Sequence, residues 1–299
     1  MSKSESTERV LPRSLASMQV DVTTRLGALS PASPTGLPIL DRMLGGGLRT
    51  GMALSVTGAS GVGKTALSLT FAYMAARSRA AVVLASATLD ETEVVARLSA
   101  RALHREEPDS TTSYGEIWSG EAWQAGPSRN IVSLAVDTVS KKVGSHLHLH
   151  RSDPFESTQV LRRVAGQLWD RHERVVVVVD GVEAFSAHCG GDATRARVAN
   201  GDLAGRVSIV AYELRRLAER GCVVVMTSAS RHADLVAPAA TMHAEMRAVE
   251  GTAVRISDRA LALGTRPVDL VIRKNVVGPT GIVPLRFIAG AATFEERAP

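Results

Sequence analysis

The stretch GASGVGKT places Gly58, Ala59, Ser60, Gly61, Val62, Gly63, Lys64 and Thr65 in the spacing G-x-x-x-x-G-K-T. Glycines in such a loop let successive backbone N–H groups curl around a phosphate. A lysine at its end neutralises charge on the outer phosphates of a nucleotide, and a threonine hydroxyl ligates magnesium. Further along, Arg174 is followed by the valine run Val175–Val179 and then Asp180. A carboxylate at the end of an apolar strand is the form in which the magnesium beside a nucleotide is supported. Together these residues point to binding of ATP with Mg2+, with Thr65 and Asp180 on the metal side.

Such residues need rigid elements to hold them. Met52 to Val56 is an apolar run suited to a buried strand, and Thr65 to Ala76 reads as a helix carrying Leu67, Leu69, Phe71 and Met74. The order strand then helix recurs: Ala81–Ala85 before 91–102, the HLHLH segment before 158–169, and the valine strand before Leu203, Val207, Val210, Leu214 and Leu217. Those five residues fall on one helical stripe, and a further strand follows at Cys222–Met226. This alternation predicts an α/β fold with a mostly parallel sheet flanked by helices on both faces. Near the end, Leu270–Lys274, the turn Gly278-Pro279-Thr280-Gly281 and Ile282–Ile288 predict a C-terminal antiparallel hairpin. Residues 185–202 and 231–262 read as long connections carrying Arg, Gly and Asp, and connections of that length are usually functional or disordered.

Residues 1–34 are polar and end in SPASPTG, which predicts a flexible tail with a candidate linker helix near Ser14–Leu29; residues 35–299 form the α/β domain. With 299 residues and 45% hydrophobic content the chain can bury one substantial core. No apolar run approaches a membrane span, MSKSESTERVLPRS is not a hydrophobic leader, and Cys189 and Cys222 are too few for a disulfide framework. The expectation is a cytoplasmic protein with no membrane partner. The net charge of +5 permits a polyanionic partner, while an aromatic content of 4% makes phosphate contacts a better basis for it than base stacking.

Longer stretches resemble the RecA-like P-loop ATPase superfamily, and most of all the motor domain of DnaB-type replicative DNA helicases. The resemblance runs over roughly residues 35–296: PTGLPILDRMLGGGL before the phosphate loop, DPFESTQVLRRVAGQL before the acidic strand, GDLAGRVSIVAYELRRLAERGCVVVMTSASR after it, and RKNVVGPTGIVPLRF at the end. The glycines 45–47 and the pair Lys274, Asn275 are also similar to the RadA and KaiC branches. The resemblance implies a homo-oligomeric, hexameric ring with ATP held between neighbouring subunits, single-stranded DNA in the central channel, and replication or recombination proteins as partners. It further implies that Lys274 acts in trans on the neighbour's nucleotide. It places DNA contacts at Arg247 and Gly251 in HAEMRAVEGTAV, and the other long connection offers Arg195, Arg197 and Arg206 to phosphates.

Three positions depart from the helicase pattern. In the register set by Arg97 and Leu98, Thr88 stands where the helicases carry a water-activating glutamate; in the register of the KaiC branch, Asp90 and Glu91 stand there. Threonine cannot serve as that base, whereas Asp90 and Glu91 either serve or act as first-turn acids stabilising a helix N-terminus. Val276 occupies the position of the helicases' arginine finger, and Ser228 that of their γ-phosphate-sensing glutamine. The expected activity is therefore slow ATP hydrolysis, of the helicase or translocase type. The alternative is a degenerate relative that binds ATP to hold an assembly together with little or no turnover. His146, His148 and His150 share one strand face, a geometry for zinc that no Cys or carboxylate completes.

Overall fold

Five consecutive valines buried on both faces can only be a central strand, because a strand with one wet face alternates polar and apolar residues. The computed structural model describes residues 14–27, 32–107, 109–124, 126–249 and 261–297. The chain falls into two units, 1–31 and 32–299. The first contains helix α1 (Leu15–Gly27), inside the range the sequence indicated for a helix. The second begins at Ala32 rather than 35, since Ser33 exchanges backbone hydrogen bonds of 2.8 Å with Leu48. The tail before Ser14 lies outside the described residues.

Within the second unit the chain runs α2 (Pro38–Met43), β1 (Ala53–Gly58), α3 (Lys64–Arg77), β2 (Ala81–Ser86), α4 (Glu91–Glu106), α5 (Tyr114–Ser119), α6 (Pro127–Val143) and β3 (Leu147–Arg151). There follow β4 (Glu156–Ser157), α7 (Thr158–Trp169), β5 (Val175–Asp180), β6 (Phe185–Ser186), α8 (Ala193–Asn200), α9 (Leu203–Glu219) and β7 (Val223–Ala229). The remainder is α10 (Ala233–Val236), β8 (Met242–Ala248), β9 (Thr265–Asn275), β10 (Gly281–Ile288) and β11 (Thr293–Glu296). The main sheet has the order β11-β10-β9-β8-β1-β7-β5-β2-β3. Its pairs from β8 to β3 are parallel, and β8 with β9, β9 with β10 and β10 with β11 are antiparallel.

Each sheet face has its own core. On one, Leu67, Phe71, Leu98, Val132 and Val139 from α3, α4 and α6 pack on Leu54, Val82 and Val178. On the other, Leu161, Val207, Val210 and Leu214 from α7 and α9 pack on Val177, Val179 and Val224. The parallel α/β sheet with its C-terminal hairpin is thus the fold expected from the alternating pattern.

Three elements were not legible. α6 is amphipathic, with Val132, Ala135, Val139 and Val143 buried, but exposed Ile131 and Leu134 blur its stripe. The connection expected over 231–262 contains α10 and a full strand, β8. β8 is hidden in sequence because His243 and Glu245 interrupt its apolar run; inside the sheet, His243 is buried against Ser55 with Nδ1 2.8 Å from the hydroxyl. β11 is only four residues long and becomes a strand by pairing with β10.

Candidate nucleotide site

β1 and β5 flank β7 in the sheet, so the loop after β1 and the carboxylate closing β5 face each other across one strand. Gly61 and Gly63 adopt φ of 76° and 109°, left-handed backbone that lets the loop turn back on itself before α3 begins at Lys64. The Lys64 ammonium donates to the carbonyls of Gly58 at 2.8 Å and Ala59 at 2.9 Å. Burial lowers its pKa from the ordinary lysine value, against the attraction of Glu183 and Asp180.

Asp180 is buried and collects hydroxyls. Its carboxylate accepts from Thr65 at 2.8 Å, Thr227 at 2.9 Å and Ser68 at 3.3 Å, and the Thr227 oxygen in turn accepts from the Gly181 amide at 2.8 Å. An alcohol and a carboxylate held together are hard oxygen donors, the set that suits Mg2+ rather than a softer metal. Thr65 and Asp180 would hold that ion, which when bound neutralises phosphate charge. Arg266 on β9 also reaches the loop, donating to the Gly61 carbonyl while its guanidinium lies over the Phe287 ring. Phe294 on β11 braces the loop from beneath, stacked on Phe287 with centroids 4.7 Å apart.

A residue that the spacing argument missed completes this region. Glu183 lies in a short turn after β5, and its Oε1 accepts from the Ser228 hydroxyl at 2.7 Å, the Ala229 amide at 2.7 Å and His232 Nδ1 at 2.8 Å. Burial works against its charge, but the Ala229, Ser228 and His232 hydrogen bonds hold the carboxyl below the usual glutamate range. His232 Nε2 accepts from Arg231 Nε at 3.3 Å, so a neutral imidazole with its proton on Nδ1 meets both partners. The only signal in the sequence was an acid three residues after Asp180, and acids in loops are common.

The remaining candidates are distributed differently. Asp90 caps α4, accepting from the Glu93 amide at 2.7 Å, and Glu91 opens that helix exposed to solvent. Thr88 is bonded to Ser86 at 3.2 Å. Lys274 donates to the carbonyls of Ala237 at 3.0 Å and Pro238 at 3.3 Å, while Arg273, on the other face of β9, pairs with Glu245 at 3.2 Å. Val276 stands exposed near the hairpin tip. Arg195 and Arg197 are exposed on α8. Arg206 is half-buried, with its guanidinium 4.6 Å from the Phe155 ring centroid and one nitrogen donating to the Glu183 carbonyl at 3.4 Å. Arg247 pairs with Glu245 at 2.7 Å, on a strand where a loop was expected, and Gly251 lies outside the described residues. Among the described residues no cluster suited to a metal ion forms; His150 pairs with Glu156 at 2.7 Å and the His146 ring lies 6.1 Å from His172.

A phosphate loop closing the first strand, an acidic residue closing a strand one place removed, and an antiparallel C-terminal extension define a RecA-like P-loop ATPase fold, close to that of DnaB-type motor domains. Residues 33–106, holding the loop, α3, β2 and α4, match the family model of the KaiC ATPases. A solved isolated ATPase domain is similar over 96% of this chain and all of its own, at 18% identity and a TM-score of 0.74. A DnaB-like replicative helicase, solved with attention to its interactions with primase, is similar over 95% of this chain and 67% of its own, at 18% identity and a TM-score of 0.72. The flagellar accessory protein FlaH from Methanocaldococcus jannaschii is similar over 87% of this chain and 96% of its own, at 12% identity and a TM-score of 0.52. No curated protein is matched by this sequence.

Proposed function

We propose that this chain binds ATP with Mg2+ at the loop 58–65, at the boundary between subunits of a homo-oligomeric ring, and hydrolyses it slowly while bound to single-stranded DNA. The observation that carries the nucleotide reading is the 2.8 Å hydrogen bond between Thr65 and Asp180, which joins a phosphate loop to an acidic strand as one oxygen-rich site. Lys64 would exchange its carbonyl partners for the outer phosphates, and the loop amides would line the remainder. The ring and the DNA follow from likeness to DnaB-like helicase domains together with the exposed cations Arg195 and Arg197.

A second reading has its own support: Val276 puts an apolar side chain where a charge-stabilising arginine would stand, and Lys274 is engaged within its own chain. In that reading nucleotide occupancy stabilises an assembly without useful turnover. Steady-state ATP hydrolysis with and without single-stranded DNA, using Lys64→Ala as the blank, separates the two. DNA-stimulated turnover above the blank supports the motor; nucleotide binding with none supports the assembly protein.

A further inference from the structure

We propose that Glu183 is the catalytic carboxylate that orients the attacking water and accepts its proton, an inference that rests on the ATPase reading above. Asp90 is committed to the N-terminus of α4 and Thr88 has no carboxylate, so the positions after β2 offer only the exposed Glu91. Glu183 is instead built into the phosphate end of the sheet. The Ala229 amide that binds it lies directly opposite Gly58 in the β1–β7 register, and the Gly58 carbonyl receives Lys64. Lys64 feels Glu183 more strongly than Asp180, although Asp180 is bonded to the adjacent Thr65.

The two oxygens of Glu183 have different surroundings. Oε1 takes all three hydrogen bonds, from Ser228, Ala229 and His232, which fixes the carboxyl plane and keeps it ionised. Oε2 lies on the side of Gly181, 3.9 Å from where a Cβ would stand on that residue. Gly181 has φ of 87° and no side chain, so the backbone turns and leaves room beside Oε2. A carboxylate with one oxygen anchored and the other open, next to the phosphate-binding lysine, has the arrangement needed to hold water in line with a terminal phosphate.

In the step itself, the water oxygen forms a bond to the γ-phosphorus as the bond from that phosphorus to the β–γ bridging oxygen breaks. The bridging electron pair leaves on ADP. The water proton passes to Oε2 of Glu183 and from there to the phosphate product or bulk water. His232, neutral and donating through Nδ1, acts as a positioning residue for Glu183.

The test is Glu183→Gln in the full chain, with Glu183→Asp beside it. A glutamine carbonyl can accept the same three hydrogen bonds at Oε1, so the site keeps its shape. The expected result is nucleotide affinity within about threefold of wild type and kcat reduced roughly a hundredfold or more, the usual contribution of a positioned base. Glu183→Asp should retain intermediate turnover, and the acidic limb of the wild-type rate profile should vanish in Glu183→Gln. Wild-type turnover in Glu183→Gln, with loss in Glu91→Gln, overturns the proposal and leaves the ATPase reading intact. Loss of nucleotide affinity along with turnover would mark Glu183 as structural, which also overturns it. Absence of wild-type turnover above Lys64→Ala removes the ATPase reading and this inference with it.

Discussion

Gly63→Ala tests whether the C-terminal strands support the phosphate loop. Position 63 has φ of 109°, and a Cβ there would stand 2.7 Å from Phe294 Cζ, 3.3 Å from Cε2 and 3.4 Å from Phe287 Cδ1. The left-handed backbone alone costs a non-glycine residue about 1–2 kcal/mol. Forcing a methyl into packed aromatic rings adds about 1–3 kcal/mol. Gly61→Ala is the control, since Gly61 also has positive φ but a Cβ there meets nothing within 4 Å. Gly63→Ala should therefore lose about 2–5 kcal/mol by urea denaturation, and Gly61→Ala only about 1–2 kcal/mol. Phe294→Leu removes the atom in the way, so the double variant Gly63→Ala with Phe294→Leu should recover about 1 kcal/mol relative to additivity. Equal losses in the two glycine variants, together with additive behaviour of the pair, would refute the view that β11 braces the loop.

Lys64→Ala should weaken nucleotide binding at least tenfold by fluorescent-nucleotide titration, because a unit charge about 4 Å from phosphate is worth about 4 kcal/mol at an effective dielectric of 20, less the carbonyl bonds exchanged. Thr227→Val keeps the shape but strips Asp180 of a donor and leaves the Gly181 amide without its acceptor, so urea denaturation should show a loss of about 2–4 kcal/mol. Burial lowers the His243 pKa, with Lys274 and Arg273 adding to the effect and Glu245 and Asp234 opposing it. Above about pH 6.5 both folded and unfolded His243 are neutral; below it the unfolded chain takes up a proton that the native site resists, so stability falls with pH until the native pKa is reached. Unfolding curves between pH 7.5 and 5.5 should show this slope, reduced in His243→Gln. Val276→Arg should raise ATP turnover several-fold if the hairpin reaches a neighbour's site; no gain would count against a closed ring.

The sequence by itself determined the nucleotide chemistry and the sheet. The phosphate loop is legible because its glycines, lysine and threonine act through spacing over eight consecutive residues. The strand Val175–Asp180 is legible because burial on both faces leaves an unbroken apolar run. The helix Leu203–Glu219 is legible because its buried residues repeat at three and four positions. Tertiary structure alone decided which acids lie beside the loop and which residues support it. Asp90 fits a base by position in the chain, yet the start of α4 takes its carboxylate as a cap. Glu183 carries no spacing signal, because its partners Ser228, Ala229 and His232 lie more than forty residues away and meet it only where β5 and β7 pair side by side. Phe294 reaches Gly63 from a strand of four residues that exists only by pairing with β10. Local periodicity records what each segment buries; it holds no record of which strand ends share an edge of the sheet, and at that edge the charges of this site come together.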